Sequence, residues 1–360
     1  MIIGIDASKT AKTYQTGTET YSTEIIKGFS KIDYKNQYIL YTPEPISKKL
    51  PNLGKNFEVK VLPFGKFWTQ VRLTKEMIRH KPDILFVPAH TLPLIFPKKS
   101  VVTIHDLGFK HYPELYPSSE LLYHNWAANH SVKNACHILV DSKFVKADIL
   151  EHYTIDPQKI SVVPLGYDEK TYRPLKEKTT KKPYLLYIGR LEEKKNIVGM
   201  IKAYEILRKE KKVKHQFVLA GRPGYGYEKI TQTIQSLPED IRKDVIELGY
   251  VDQETYVSYL KNASILFFAS FFEGFGLPLL EAMASGVPVV ASNRTSIPEI
   301  TGKAAVLVDP KKPFEMAVAL SRVINDTGLQ KALISKGLTR ASLYSWQKTA
   351  QKTLDILERL

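Results

Sequence analysis

Ile265-Leu-Phe-Phe-Ala-Ser-Phe-Phe-Glu273-Gly-Phe-Gly-Leu-Pro-Leu-Leu-Glu281 runs from an unbroken apolar segment, through a Gly-Phe-Gly turn, into a helical pattern. A continuous apolar run such as 265–269 suits a strand buried on both faces. Pro278 suits a first helical position, because the amide it lacks would be unpaired there anyway. Glu273 then lies in the loop and Glu281 one turn into the helix. Between them the amides of Phe275, Gly276 and Leu277 approach the helix N-terminus, where backbone donors point outward and favour anionic or hydroxyl-rich ligands. Two carboxylates flanking a row of donors make a grip for a polyol.

The same strand-loop-helix alternation extends over the chain. Apolar, β-branched runs at 2–5, 38–41, 83–87, 101–104 and 138–140 predict strands in the first half. Runs at 184–188, 216–219, 245–248, 265–269 and 287–291 predict a second set. Helix-like segments between them imply βαβ units, parallel sheets and an α/β fold. The stretch 173–183 carries two prolines, dense charge and no apolar pattern, as an exposed linker should. It divides the chain into a domain at 1–172 and another at 184–344, with an amphipathic helix at 345–360. Polar residues recur after predicted strands: Gly17, His105-Asp106, Gly189-Arg190, Gly221-Arg222, Gly249-Tyr250-Val251 and Glu273. Ligands of open α/β sheets bind beyond the carboxyl ends of strands, so this placement supports a cleft between two Rossmann-like domains.

A chain of 360 residues is comfortable for two domains, and 43% hydrophobic residues is ordinary for a soluble protein. One cysteine, Cys136, excludes an internal disulfide and fits a reducing compartment, which points to the cytoplasm. The opening residues 1–6 read as a strand rather than a signal segment, and the longest apolar run falls far short of the ~18 residues that span a bilayer. A net charge of +15 suits anionic partners, nucleoside diphosphates and lipid headgroups among them. No zinc-ligand spacing or RNP-like sequence accompanies it, which sets nucleic acid aside. Solubility alone is the other reading of that charge.

The block from Glu273 to Glu281, with Glu-Ala-Met-Ala-Ser-Gly-Val-Pro-Val-Val following from Glu281, resembles the Glu-x7-Glu motif of retaining glycosyltransferases of the GT-B fold, family 4. Gly189-Arg-Leu-Glu-Glu-Lys-Lys195-Asn resembles that family's Gly-Arg-Leu…Lys-Asn segment. The resemblance is densest from Tyr184 to Pro310. It implies two Rossmann-like doubly wound parallel-sheet domains with a cleft between them, the first for the acceptor and the second for a nucleotide sugar, and a last helix that crosses back to the first domain. It implies that Arg190 and Lys195 hold the donor diphosphate, with Lys194 the competitor for the second role. It implies that Glu273 and the Phe275, Gly276 and Leu277 amides face the hexose, and that Glu281 faces the ribose hydroxyls. Gly221, Arg222, Tyr250 and Val251 would line the nucleobase and ribose, and His105 would meet the donor sugar. The chemistry suits these roles: a guanidinium and an ammonium can stabilise charge growing on a departing phosphate. Ser296 to Glu299 and Val162 to Gly166 also match family segments, in packing and hinge roles.

The implied activity is retaining transfer of a hexose, mannose first, from a GDP- or UDP-sugar to a glycan or lipid-linked hydroxyl. Several points stay open on the residues alone. His105 reads as a sugar contact or a structural histidine, and Asp106 as its partner or a cap. The first loop departs from the family: Gln15-Thr-Gly17-Thr-Glu-Thr20 has one glycine where relatives show two, so Gly17 admits a phosphate or merely turns the chain. The dinucleotide fingerprint is absent, which argues against NAD. The basic stretch from Phe67-Trp68 through 71–79 reads as a helix packed on its sheet or one resting on an anionic membrane, possible at the inner face. No metal-ligand cluster stands out, and no Asp-x-Asp is placed to hold Mg²⁺ under a diphosphate, so no metal or other cofactor is expected. The rivals are a GT-B epimerase or phosphorylase, which product analysis separates, and a non-catalytic scaffold that binds nucleotide sugar or polysaccharide.

Overall fold

A computed structural model describes residues 1–12, 16–50, 52–177, 179–180, 182–211 and 213–360, the side chain of Lys211 aside. Gln15 of the first loop and Lys178 and Lys181 of the expected linker lie outside the described residues. The chain forms two units. One comprises Met1–His111, Pro117–Gly166 and Ser345–Leu360; the other comprises Tyr112–Tyr116 and Tyr167–Tyr344.

The first unit is built on a parallel sheet of β1 (Ile2–Asp6), β2 (Gln37–Thr42), β3 (Phe57–Val61), β4 (Ile84–Val87), β5 (Ser100–Ile104), β6 (His137–Val140) and β7 (Ile160–Val162). Their spatial order is β3-β2-β1-β4-β5-β6-β7. The second unit repeats the plan with β8 (Tyr184–Ile188), β9 (Gln216–Ala220), β10 (Val245–Gly249), β11 (Ile265–Phe268), β12 (Val289–Ser292) and β13 (Ala305–Val308), in the order β10-β9-β8-β11-β12-β13. Each unit builds outward from its first strand and then returns to that strand's other side, the doubly wound pattern whose crevice lies where the order reverses. In the second unit the reversal falls between β8 and β11. Their pairing ends at Leu266↔Leu186, so β8 continues to Ile188 without β11 beside it, and the carboxyl ends separate.

All ten expected strands form, with ends shifted by a residue or two. Val289 opens β12 later than expected because Pro288 has no amide to give the ladder; its carbonyl still accepts from Leu266 at 2.9 Å. Three further strands, β3, β7 and β13, escaped the apolar-run criterion. All three lie at sheet edges, where one side faces solvent and residues such as Glu58 and Lys60 are tolerated. The basic stretch after Phe67 is a correction of another kind. It starts as a π-helical turn, Thr69–Leu73, before the short α-helix Thr74–Arg79. Trp68, Leu73 and Met77 are buried while Phe67, Val71 and Ile78 face outward, so the apolar residues are divided between two sides.

The division between units falls after Gly166 because Tyr172 belongs with the second: it is buried, its hydroxyl accepts from Gln253 Nε2 at 2.9 Å, and its ring meets Tyr256 edge-on at 6.4 Å. The final helix, Trp346–Arg359, opens on Ser345, whose side chain accepts from the Lys348 amide at 3.2 Å. It lies along the helix Gly17–Ile32. The Trp346 ring tilts over Tyr21 at 6.4 Å, Ala350 fills the space beside Gly28, and Asn36 donates to Glu358 at 2.9 Å. Leu354, Ile356 and Leu357 are buried. Removing residues 345–360 therefore strips an apolar cover from the first unit. Hydrogen exchange on the truncated protein is expected to show lost protection in β1–β7 while β8–β13 stay protected; uniform protection in both would show that the helix is not needed for either core.

Candidate functional site

In the second unit the loops leaving β8, β9 and β10 are knitted together by backbone. The Gly189 amide donates to Ala220 at 2.9 Å, the Leu191 amide to Arg222 at 2.8 Å, and the Gly221 amide to Gly249 at 2.8 Å. Gly221 is required here: a Cβ at that position would overlap the Gly189 carbonyl. Gly221 thus sits between the ends of the neighbouring strands. Arg222 is exposed on the next position, and Tyr250 and Val251 follow the edge strand β10, with Tyr250 47% exposed.

Beyond β8, Glu193–Lys195 forms a 3₁₀ turn that Asn196 closes in the left-handed region at φ 58°. The Asn196 side chain is buried and donates to the carbonyls of Ala269 at 3.0 Å and Pro310 at 2.7 Å. That anchor fixes the turn against the end of β11 and aims its two lysines differently. Lys195 Nζ lies 2.8 Å from both carboxylate oxygens of Glu273. Lys194 instead rests over the Tyr116 ring, 5.3 Å from its centroid, and pairs with Glu192 at 3.4 Å. Arg190 is more open, its side chain 55% exposed and 3.6 Å from Glu192.

The Glu273 loop is held by Thr295 and by Ser296, which opens a segment that sequence reasoning placed in packing and hinge roles. The Glu273 amide donates to Thr295 Oγ1 at 3.2 Å, and Ser296 Oγ donates to the carbonyls of Glu273 at 2.9 Å and Phe275 at 3.3 Å. Gly276 then takes φ 93° as the cap of the helix Leu277–Ala284, a conformation that side-chain-bearing residues rarely adopt. The carboxylate of Glu273, the ammonium of Lys195 and the amides of Phe275, Gly276 and Leu277 at this helix start thus occupy one corner of the β8–β11 crevice.

Glu281 lies further along the same helix, buried, where the Tyr256 hydroxyl donates to its Oε2. Tyr256 comes from the helix Gln253–Asn262 that follows β10, capped by Asp252 accepting from the Thr255 amide at 2.8 Å. Tyr256 and Tyr172 give no signal as isolated tyrosines in sequence; only the fold sets them on a buried carboxyl.

The first unit holds the other two expected residues. Gly17 opens the helix Gly17–Ile32 and is exposed; Thr16 precedes it as the cap, with its amide donating to Glu19 at 3.1 Å. His105 follows β5 and is buried with both ring nitrogens engaged, Nδ1 with Asp141 at 2.7 Å and Nε2 with the Pro88 carbonyl at 3.0 Å. Burial opposes a charge on the ring, but the Asp141 carboxylate and the two hydrogen bonds outweigh it, and its pKa is raised. His105 is therefore anchored at both ring nitrogens, and Asp141 favours its charged form. Its neighbour His90 meets it edge-on at 5.2 Å with φ 24°, and burial, then the charge of His105, lowers His90 to about 3. Asp106 caps the following turn by accepting from the Gly108 amide at 2.9 Å. Asp141 and His90 are the residues here that sequence reasoning missed.

Burial pushes the Glu281 carboxyl up from 4.5 to about 7, against the lowering effect of the Tyr256 and Tyr172 hydrogen bonds. The folded state thus holds this proton more tightly than the unfolded chain. Its contribution to stability is full below pH 4.5 and is lost as pH rises through 7. The size of that loss is about 3 kcal/mol at most. Glu281→Gln removes the buried charge. Urea unfolding should show the variant gaining stability relative to the parent between about pH 5 and pH 8, whereas a difference constant across that range would mean the carboxyl titrates normally.

Comparison with known proteins matches the chain to two family models, "Glycosyltransferase Family 4" over residues 16–171 and "Glycosyl transferases group 1" over residues 168–340. It is 30% identical over 297 residues to the O-antigen chain mannosyltransferase B of Escherichia coli, covering 79% of this chain and 75% of that protein. It is 30% identical over 226 residues to the MMP alpha-(1->4)-mannosyltransferase of Mycolicibacterium hassiacum, covering 62% of this chain and 54% of that protein. In structure it is similar to Anabaena HepE in complex with UDP and glucose, with a TM-score of 0.77 at 18% identity over 100% of this chain and 99% of that one. With sheets of the GT-B kind and family matches along most of its length, the chain belongs to the family 4 glycosyltransferases.

Proposed function

We propose that this glycosyltransferase moves mannose from a nucleoside diphosphate sugar to a hydroxyl of a glycan or lipid-linked acceptor, with retention at the anomeric carbon and without a metal ion. The observation that carries the reading is the corner formed by Lys195, Glu273 and the Gly276-capped helix, set where β8 and β11 separate. The names of two relatives support mannose, and HepE, bound to UDP and glucose, supports a nucleotide-sugar donor. The donor nucleotide is GDP or UDP.

In this mechanism the donor's diphosphate lies against Arg190 and Lys195, which take the place a divalent cation would fill. Lys195 is poised for the role because Glu273 orients its ammonium from 2.8 Å. The bond between the anomeric carbon and the phosphate oxygen breaks as the acceptor oxygen bonds the same face. The departing phosphate oxygen takes the acceptor proton, so no protein base is required. Glu273 and the Phe275, Gly276 and Leu277 amides position the hexose, and Glu281 accepts from the ribose hydroxyls. Gly221, Arg222, Tyr250 and Val251 border the base. His105, whose nitrogens are both occupied, acts by holding its loop, with a sugar hydroxyl able to replace the Pro88 carbonyl on Nε2.

The acceptor side has its own support. Phe64, Phe67, Val71 and Ile78 are exposed beside Lys66, Lys75 and Arg79 on the first unit, a mixture suited to an anionic lipid surface. Among the described residues no helix is long and apolar enough to cross a membrane.

Incubation with UDP-, GDP- and ADP-sugars tests the donor; release of nucleoside diphosphate from one GDP- or UDP-hexose, with unchanged product anomer and no loss in EDTA, is the expected result. Arg190→Ala should lower kcat by about 10²-fold or more with little change in KM, and Glu281→Ala should raise donor KM instead. Wild-type kinetics in both variants would displace the site. Flotation should carry the protein up with anionic vesicles and not with zwitterionic ones, and Phe67→Ser with Ile78→Ser should abolish it; equal flotation with both lipids would remove the membrane from the reading.

A further inference from the structure

The first unit brings together three side chains that none of the donor chemistry uses. His111 ends the helix Gly108–His111, and Asp148 and His152 lie one turn apart at the end of the helix Lys143–His152. His111 Nε2 is 2.6 Å from Asp148 Oδ1, and His152 Nδ1 is 3.2 Å from the same oxygen. The two rings meet edge-on at 5.2 Å, and the donor atoms of all three residues lie within 4.8 Å of one another.

The carboxylate is the unusual member. Its side chain is 1% exposed, and its second oxygen, Oδ2, is buried with no hydrogen-bond partner. A buried carboxylate oxygen left unanswered is costly, and native structures seldom keep one without a reason. Lys110, next to His111 in sequence, places its ammonium over the rings of Phe109 and Tyr153, at 5.8 and 5.5 Å. The histidine side chains are 32% and 25% exposed, so the cluster reaches solvent through its two rings.

We propose that His111, Asp148 and His152 form a transition-metal site that takes Zn²⁺, with water completing the coordination. Two imidazole nitrogens and one carboxylate are a zinc-type donor set, whereas a hard Mg²⁺ or Ca²⁺ would want more oxygens. Loading changes the protons and not the electrons. Each ring nitrogen that now donates gives up its proton, which moves to the other nitrogen of that ring through water, and its lone pair goes to the metal. His152 Nδ1 also leaves the Asp148 carbonyl, which it meets at 2.9 Å. The nitrogens and oxygen must spread from hydrogen-bond separation to about 3.3 Å, the edge of a tetrahedron with bonds of about 2.0 Å. That is a side-chain adjustment at two helix ends. The site is structural: it staples the Gly108–His111 turn to the longer helix at the point where the chain leaves the first unit for Tyr112. It is distinct from the donor chemistry, for which no metal is invoked. The cluster is hidden in sequence because 37 positions separate His111 from Asp148.

The test uses untagged full-length protein, stripped with a chelator and titrated with Zn²⁺ by calorimetry and with Co²⁺ by visible absorption. One Zn²⁺ per chain is expected, with the intense visible bands of four-coordinate Co²⁺. His111→Gln and His152→Gln should each weaken Zn²⁺ binding more than about tenfold, since even outer-shell changes at such sites cost that much. His80→Gln, at the exposed histidine beside Glu76, should leave it unchanged. Absence of stoichiometric uptake by the wild-type protein overturns the proposal without recourse to variants, and so does uptake that survives both substitutions in variants with unchanged circular dichroism.

Discussion

A parallel strand cannot be joined to its neighbour by a tight turn, so every connection must travel back along the outside of the sheet, and every strand then ends at the same edge. This constraint underlies the rest of the molecule. It buries the strands on both faces, which is why Val101, Leu185, Leu266 and their neighbours are wholly enclosed. It also gathers the loops after β8, β9, β10 and β11 along one edge without any need for them to be close in sequence. The chemistry is then a matter of what those loops carry and how firmly each is tied.

The ties are polar and few. Asn196 reaches two carbonyls from two other segments, and Thr295 and Ser296 hold the Glu273 loop from a third. Such buried side-chain-to-backbone bonds fix a loop without a metal or a disulfide, and each would leave an unpaired group if lost. Glu281 is different. Its carboxyl is buried against two tyrosines, and burial raises its pKa to about 7, so its charge carries an electrostatic penalty that proton uptake relieves.

The sequence made the central strands legible because burial on both faces leaves an apolar run that has no other economical explanation. The edge strands were hidden for the complementary reason: Phe57–Val61 alternates with Glu58 and Lys60 and looks like a loop until a neighbour supplies its ladder. At the site, the carboxylates and cations could be named because they cluster in two short motifs. Their supports could not. Thr295, Tyr172, Tyr256 and Asp141 are common residue types whose role comes from tertiary position alone. The spacing from Arg190 favoured Lys195 over Lys194, and the fold sets Lys195 on Glu273 and Lys194 on Tyr116.

The first unit is discontinuous, with Tyr112–Tyr116 given to the second unit and Ser345–Leu360 returned from the far end of the chain. This arrangement has a consequence in time. Domains emerging from a ribosome generally fold in order, first made first. Here the earliest residues meet part of their cover late, because the helix that packs on Tyr21 and Gly28 is synthesised after Tyr167–Tyr344. All residues of the second unit are therefore present in the nascent chain before the first unit has its final helix, so the two units become complete in the reverse of the order in which they begin.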